Sequence, residues 1–113
     1  MAKVVITKSL EREINKKFKK ESIKIFELLY SLRDNPKKGR ELTQIGGIVL
    51  KEIRYKNFRF YFITDGLKIK LLEINEFSDL LIRFVAMSDK KSQQKTINKI
   101  KFILKSLGER GFD

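Results

Sequence analysis

Residues 46–62 read GGIVLKEIRYKNFRFYF and bring charged side chains together at strand spacing. Lys56-Asn57 fits a two-residue hairpin loop between two strand-like runs. Such a loop pairs Tyr55 with Phe58, Arg54 with Arg59, Ile53 with Phe60 and Glu52 with Tyr61. Strand side chains alternate between faces. Ile53, Tyr55, Phe58, Phe60 and Phe62 therefore form an apolar wall, and Glu52, Arg54, Arg59 and Tyr61 share the opposite face. Two arginines directly opposite each other repel. They call for an acidic neighbour or an anion between them. Glu52 can be the neighbour, and a phosphate can be the anion, because the planar guanidinium fork matches phosphate oxygens.

The elements that hold this hairpin follow from the rest of the chain. Lys3 to Thr7 (KVVIT) reads as a short β-branched strand. Ser9 fits a helix N-cap, with Glu11 and Glu13 in the first turn, where the helix dipole favours anions. Leu10, Ile14 and Phe18 form one apolar stripe, and Lys16, Lys17, Lys19 and Lys20 crowd the other side. A solvated helix face is the plainer account of those lysines; a phosphate-tracking surface is the sharper one. The stripe loses phase near Ser22, and a broader apolar helix from Ile23 to Leu32 follows, ended by Pro36. Two antiparallel helices or one bent helix fit this stretch.

Asn35 to Gly47 reads as a loop with a turn around Leu42, carrying a basic cluster of Lys37, Lys38 and Arg40. After the hairpin, Asp65-Gly66 is the strongest turn signal in the chain. Leu67 to Ile74 reads as a further strand, Asn75 to Asp79 as a loop, and Leu80 to Met87 as a last strand. Arg83 is the only charge in that last run. It lies on an exposed face or in an ion pair, with Glu52 or Glu73 as partner. Ser88 to Gly108 is the clearest helix, opening on Lys90, Lys91 and Lys95 and closing on a glycine suited to the C-terminal turn. The order is strand, two helices, three or four antiparallel strands, helix: an α+β chain forming one domain over residues 1–113.

Composition limits the chemistry. The chain has 26 Lys+Arg against 14 Asp+Glu, a formal net charge of +12. Such a surface steers encounters with polyanions or acidic proteins; compositional bias alone is the plain alternative. Histidine and cysteine are both absent. That excludes disulfides, Cys/His zinc sites, cysteine nucleophiles and histidine general bases. No apolar run approaches membrane-spanning length, and MAKVVITKSL lacks a signal-peptide core. The expectation is a soluble cytoplasmic protein with no membrane partner.

The order of elements, with the hairpin residues, resembles the RelE/ParE superfamily of toxins from toxin–antitoxin pairs. The likeness is closest to its HigB-like, phage-derived Gp49-like branch. It rests on Glu52-Ile53-Arg54, Phe58-Arg59-Phe60-Tyr61, Asp65-Gly66, Leu71-Leu72, and Lys90-Lys91-Ser92-Gln93-Gln94-Lys95-Thr96. It spans roughly residues 39–107, with the N-terminal half matching by pattern only. Phe58 stands where the branch usually has tyrosine, the usual histidine near the last strand is missing, and residues 73–82 stand as an insertion. The resemblance implies a small twisted antiparallel sheet of four to five strands with helices against one face. It implies mRNA cleavage on the ribosome in the RelE and HigB branches, and gyrase inhibition without nuclease action in the ParE branch. A cognate antitoxin, mRNA and the ribosome are the partners implied, with no metal and no cofactor.

Metal-independent RNA cleavage requires the 2′-hydroxyl to attack the adjacent phosphate, with a base, an acid and cations to hold the added charge. Arg54 and Arg59 on one face, with Arg83 from another strand, can make such a phosphate clamp, with Glu52 or a lysine such as Lys91 for the proton and Lys90, Lys95 and Tyr61 as further candidates. Lys37, Lys38, Arg40, Tyr61, Lys90 and Lys95 are the expected RNA contacts. Fold analogy alone does not choose between an endoribonuclease, a ParE-like inhibitor of a protein target, and an inert basic RNA-binding protein.

Overall fold

The hairpin forms with the expected register. Strand β3 (Ile48–Tyr55) and strand β4 (Phe58–Asp65) are antiparallel and pair Tyr55 with Phe58, Arg54 with Arg59, Ile53 with Phe60 and Glu52 with Tyr61. This is seen in a computed structural model that describes residues 1–71 and 79–113. Lys56 has φ +54, the left-handed conformation that a tight hairpin loop demands and a lysine resists. Tertiary contacts offset that cost. Glu21 accepts hydrogen bonds from the Tyr55 hydroxyl at 2.6 Å and from Lys56 Nζ. Phe58 meets Phe18 edge to face at 4.9 Å, and Lys17 Nζ lies over the Phe58 ring. The tip is thereby fastened to the corner between the two N-terminal helices.

Those helices are α1 (Lys8–Phe18) and α2 (Ser22–Tyr30), joined by a 3-10 turn over Lys19–Glu21. Two separate helices are therefore formed. Thr7, not Ser9, is the N-cap, and its hydroxyl accepts from the Leu10 amide. Strand β1 (Lys3–Ile6) stops one residue earlier than expected for that reason. The last strand, β5 (Leu81–Asp89), runs to Asp89, so the C-terminal helix α4 (Gln93–Leu107) begins later than Ser88.

The sheet has five strands in the order β1-β5-β4-β3-β2, where β2 is Arg40–Ile45. Strand β1 lies parallel to β5, pairing Lys3 with Leu81 and Ile6 with Phe84. The sheet is mixed, not wholly antiparallel. A parallel neighbour requires a crossover connection, and α1 and α2 open the connection that returns the chain. Helices cover both faces, not one. On the first, Leu10, Ile14, Ile25 and Leu29 pack with Val49, Ile53, Phe60, Phe62 and Phe84. On the second, Ile97, Ile100 and Leu104 of α4 pack with Leu50, Tyr61, Ile63 and Val85.

Two stretches differ from their sequence patterns. Arg40–Ile45 is an edge strand, β2, within the expected loop. Its register shifts between Glu41 and Thr43, leaving Leu42 as the extra residue of a bulge. An edge strand buries little, so it shows no clean alternation to read. Just before it, Gly39 has φ +104, and a side chain there would meet the Glu52 carbonyl and the Phe62 ring. Asp65-Gly66 does not turn into another strand. Asp65 Oδ1 accepts from the amides of Leu67 and Lys68 at 3.0 and 2.9 Å, opening a short helix α3 (Gly66–Leu71). Here the capping carboxylate overrides the alternating LKIKL pattern, and Ile69 is buried. Residues 72–74 of the expected strand and Glu73 lie outside the described residues.

A buried lysine gives a stability test. Lys51 is 7% exposed on the first face, with Nζ 3.0 Å from the Lys37 carbonyl and over the Phe62 ring. Burial pushes its ammonium below the ordinary 10.5, while Glu41 partly opposes this. At neutral pH folding bears the desolvation cost in full. As pH rises toward 10.5 the folded state releases its proton before the unfolded chain does, so stability rises with pH. Lys51→Met should stabilise the fold by roughly 1 kcal/mol near neutrality. The difference from wild type should narrow in urea titrations as pH approaches 10.5. A gap that stays constant or widens would show that Lys51 carries no burial penalty.

Candidate nucleic-acid interface

The second face of the sheet carries two adjacent polar rows. Directly paired residues place their side chains on the same face, with Cβ atoms about 5 Å apart. One row runs Arg40 on β2, Glu52 on β3, Tyr61 on β4 and Ala86 on β5. The next runs Arg54 on β3, Arg59 on β4 and Ser88 on β5. The second row lies nearer the hairpin tip. Beyond it the chain leaves β5 through Lys90 and Lys91, both exposed, and enters α4, whose first turn carries Lys95.

Glu52 is 2% exposed, and both carboxylate oxygens are shut off from solvent with no hydrogen bond. Arg40 Nη2 stands 3.2 Å from Oε1, at ion-pair distance but outside hydrogen-bonding alignment. Arg40 is itself largely exposed. The acid expected beside the arginine pair therefore has Arg40, across the β2–β3 ladder, as its ion-pair partner. The carboxylate is placed as a counter-ion for Arg40.

Arg54 is exposed and has no ion-pair partner among the described residues. Arg59 is 6% exposed; Nη1 donates to the Asn57 carbonyl at 3.3 Å, and its buried Nε has no partner. Arg59 thus holds a buried donor with nothing to bond, a costly arrangement that an anion would relieve. Tyr61 is fully buried, with its hydroxyl 2.7 Å from Ser88 Oγ. Burial pushes the phenol pKa up, and Ser88 partly opposes this. Tyr61 is not an exposed RNA contact in this arrangement.

Arg83 does not join the clamp. It pairs with Ile63, four positions along β4 from Arg59, roughly 13 Å at the strand rise. It lines a separate pocket with Asp65, Lys68, Asp79 and Glu109. No ion pair links it to Glu52. Glu73, its other expected partner, is outside the described residues. Lys38, Arg40 and Arg54 line one cleft together with Leu28 and Ile53 of the first face, so part of the basic loop cluster lies at this edge of the sheet. Lys37 precedes it in the same loop, and its carbonyl holds Lys51.

Asp89 pairs with Phe58 and so lies on the α1 face. The Ser92 amide, donating at 2.8 Å, holds its carboxyl below the usual range, and Lys17 and Lys91 add attraction. This contact shapes the turn that carries Lys90 and Lys91. Among the described residues no cluster of acidic side chains is suited to hold a metal ion, and no helix is long and apolar enough to cross a membrane.

Ser88 stands in the same row as Arg59, a placement the sequence pattern does not reveal. The SDKKSQ run reads as a helix start, which hides Ser88's place as a strand residue. Its cross-strand pairing with Arg59 appears only once the β4–β5 register is known.

The fold and the rows define an α+β protein with a polar, arginine-bearing sheet face. No family model, curated protein or solved structure matches the chain.

The surroundings of Glu52 make a prediction. Glu52→Gln should keep any RNA-cutting activity within about tenfold of wild type, because Glu52 stands at ion-pair distance from Arg40, one row away from the Arg54–Arg59 pair. Glu52→Ala should leave stability within about 1 kcal/mol of wild type, because Arg40 is largely exposed and regains water when the carboxylate is removed. Rates from matched cleavage assays decide this. A loss of 10³-fold or more in Glu52→Gln would make Glu52 the base.

Proposed function

We propose that the chain is a RelE/HigB-like toxin that seats the message backbone on the Arg54–Arg59 row and cuts mRNA on the ribosome. The observation that carries this reading is the buried, partnerless Nε of Arg59 beside Arg54, on the same face and with no carboxylate at ion-pair distance among the described residues. Two guanidinium groups at this spacing favour a bridging phosphate, and the net charge of +12 steers a polyanion toward them. The sequence-order likeness to the superfamily supports the same reading. So does the arrangement of two helices between β1 and the β2–β4 meander, with a helix after β5.

Binding has stronger support than proton transfer. The chain has no histidine, and Glu52 is at ion-pair distance from Arg40. The acid and base roles then fall to the exposed lysines, with Lys91 the leading candidate beside Lys90. Acid–base help contributes about 10²–10⁴-fold, so ribosomal orientation of the message can supply much of the remaining acceleration. The partners proposed are mRNA, the ribosome and a cognate antitoxin complementary to the basic face.

Primer extension on translated message after brief induction tests the reading. Codon-phased cuts in wild-type cells are expected. Intact message with accumulating gyrase-trapped linear DNA would replace it with a ParE-like activity. Intact message with normal growth would leave a basic RNA-binding protein without cleavage.

A further inference from the structure

We propose that Ser88 Oγ is a third ligand to the phosphate held by Arg59, with Tyr61 as the positioning residue that aims it. This rests on the reading of the Arg54–Arg59 row as an RNA phosphate seat, and it adds a neutral donor to that seat. Ser88 is the direct cross-strand partner of Arg59, so the two side chains stand side by side on one face. Both are buried, at 6% exposure each. Arg59 Nε has no acceptor. The Tyr61 hydroxyl lies 2.7 Å from Ser88 Oγ. When Tyr61 donates, the serine hydrogen is left free to donate onward. Tyr61 itself is locked by the α4 core, packed with Leu50, Ile63, Ile97 and Ile100. The serine rotamer is thus fixed from behind, and a phosphate oxygen can receive the Arg59 Nε–H and the Ser88 O–H together.

The pairing also explains a departure from apolar packing at the end of β5. A buried serine beside a buried arginine contributes little to the core, yet both lie where the sheet face meets the lysines that open α4. A hydroxyl suits this place better than another cation. It adds a hydrogen bond to the phosphate without further repulsion among Arg54, Arg59, Lys90 and Lys91.

The test uses the whole chain and a 2′-deoxy dinucleotide, which carries one phosphodiester and cannot be cut through a 2′-hydroxyl. Binding is followed by NMR at the Arg59 Nε–H, assigned by its loss in Arg59→Lys. Addition of the dinucleotide should shift that signal. Ser88→Ala should weaken binding about tenfold, as expected for a hydrogen bond to a charged group. Tyr61→Phe should weaken it about threefold by freeing the serine rotamer. Ser88→Thr, which keeps the hydroxyl, should restore affinity to within about threefold of wild type. An unmoved Arg59 Nε–H in the wild-type protein would overturn the proposal, whatever the variants do. So would Ser88→Ala binding within twofold of wild type. The readout is independent of cleavage. An intact seat with uncut message refutes the endoribonuclease reading alone, whereas cut message with an indifferent Ser88 refutes this inference alone.

Discussion

Arg59→Ala should lower the proposed message cutting by about 10²–10³-fold, the loss typical when one preorganised donor to a developing charge is removed. The side chain is buried, donates to the Asn57 carbonyl and keeps Nε in reserve. Its contribution to the fold is therefore small, and the variant should melt within about 3 °C of wild type, equivalent to less than about 1 kcal/mol for a domain of this size. The two readouts separate function from stability. Arg59→Lys should recover only part of the lost rate, because an ammonium is a point charge without the guanidinium fork. Undiminished growth arrest and cutting in Arg59→Ala would remove the row from the active surface. Arg83→Ala is the internal contrast: it pairs with Ile63 and faces Asp65, Asp79 and Glu109 at the other end of the strand. Its effect on cutting should be less than about fivefold, since surface charges away from the seat act only through long-range steering.

Phe62→Ala should cost about 3–5 kcal/mol of stability, the usual penalty for emptying a large aromatic site in a close-packed core. Phe62 is fully buried, stacks in a tilted contact with Phe84 at 4.9 Å, and lies under the Lys51 ammonium. It also abuts Gly39, where the backbone passes close enough that even a Cβ would crowd the ring. Removing the ring loosens the approach to β2 as well as the core, so collapse around the gap is limited. Urea unfolding should show the full loss with little change in slope. A loss under 1 kcal/mol would mean that the helical layer over the first face repacks freely.

The hairpin was legible because its signals are local. A two-residue loop fixes register, register fixes which side chains share a face, and the Arg54–Arg59 and Glu52–Tyr61 pairs follow. The apolar stripe of Leu10 and Ile14 was equally readable, since one helix face must be buried. The features that escaped depend on contacts between distant segments. Strand β1 joins β5 in parallel, a pairing that no local pattern specifies. The β2 edge strand has weak alternation and a bulge at Leu42. Asp65-Gly66 has two physical uses, a hairpin turn or a helix cap, and only the surroundings of Ile69 choose between them.

The site was legible to the same degree. Its arginine pair came from hairpin spacing, whereas its third cation did not. Arg83 sits on the correct strand and face, but the strand offset carries it to the far end. Ser88 was overlooked because its neighbours read as a helix start. Glu52 was recognised as the acid near the arginines, yet its burial and its pairing with Arg40 depend on β2, which the sequence conceals.

The central claim is that the arginine row holds an RNA phosphate while the adjacent 2′-hydroxyl attacks it. The most direct measurement is single-turnover cutting of ribosome-bound message with one 2′-deoxy nucleotide at the mapped cut position. The account predicts normal binding of that message and no cut at that position, with neighbouring ribonucleotides unaffected by the substitution. Cutting at the 2′-deoxy position at the ordinary rate would contradict it.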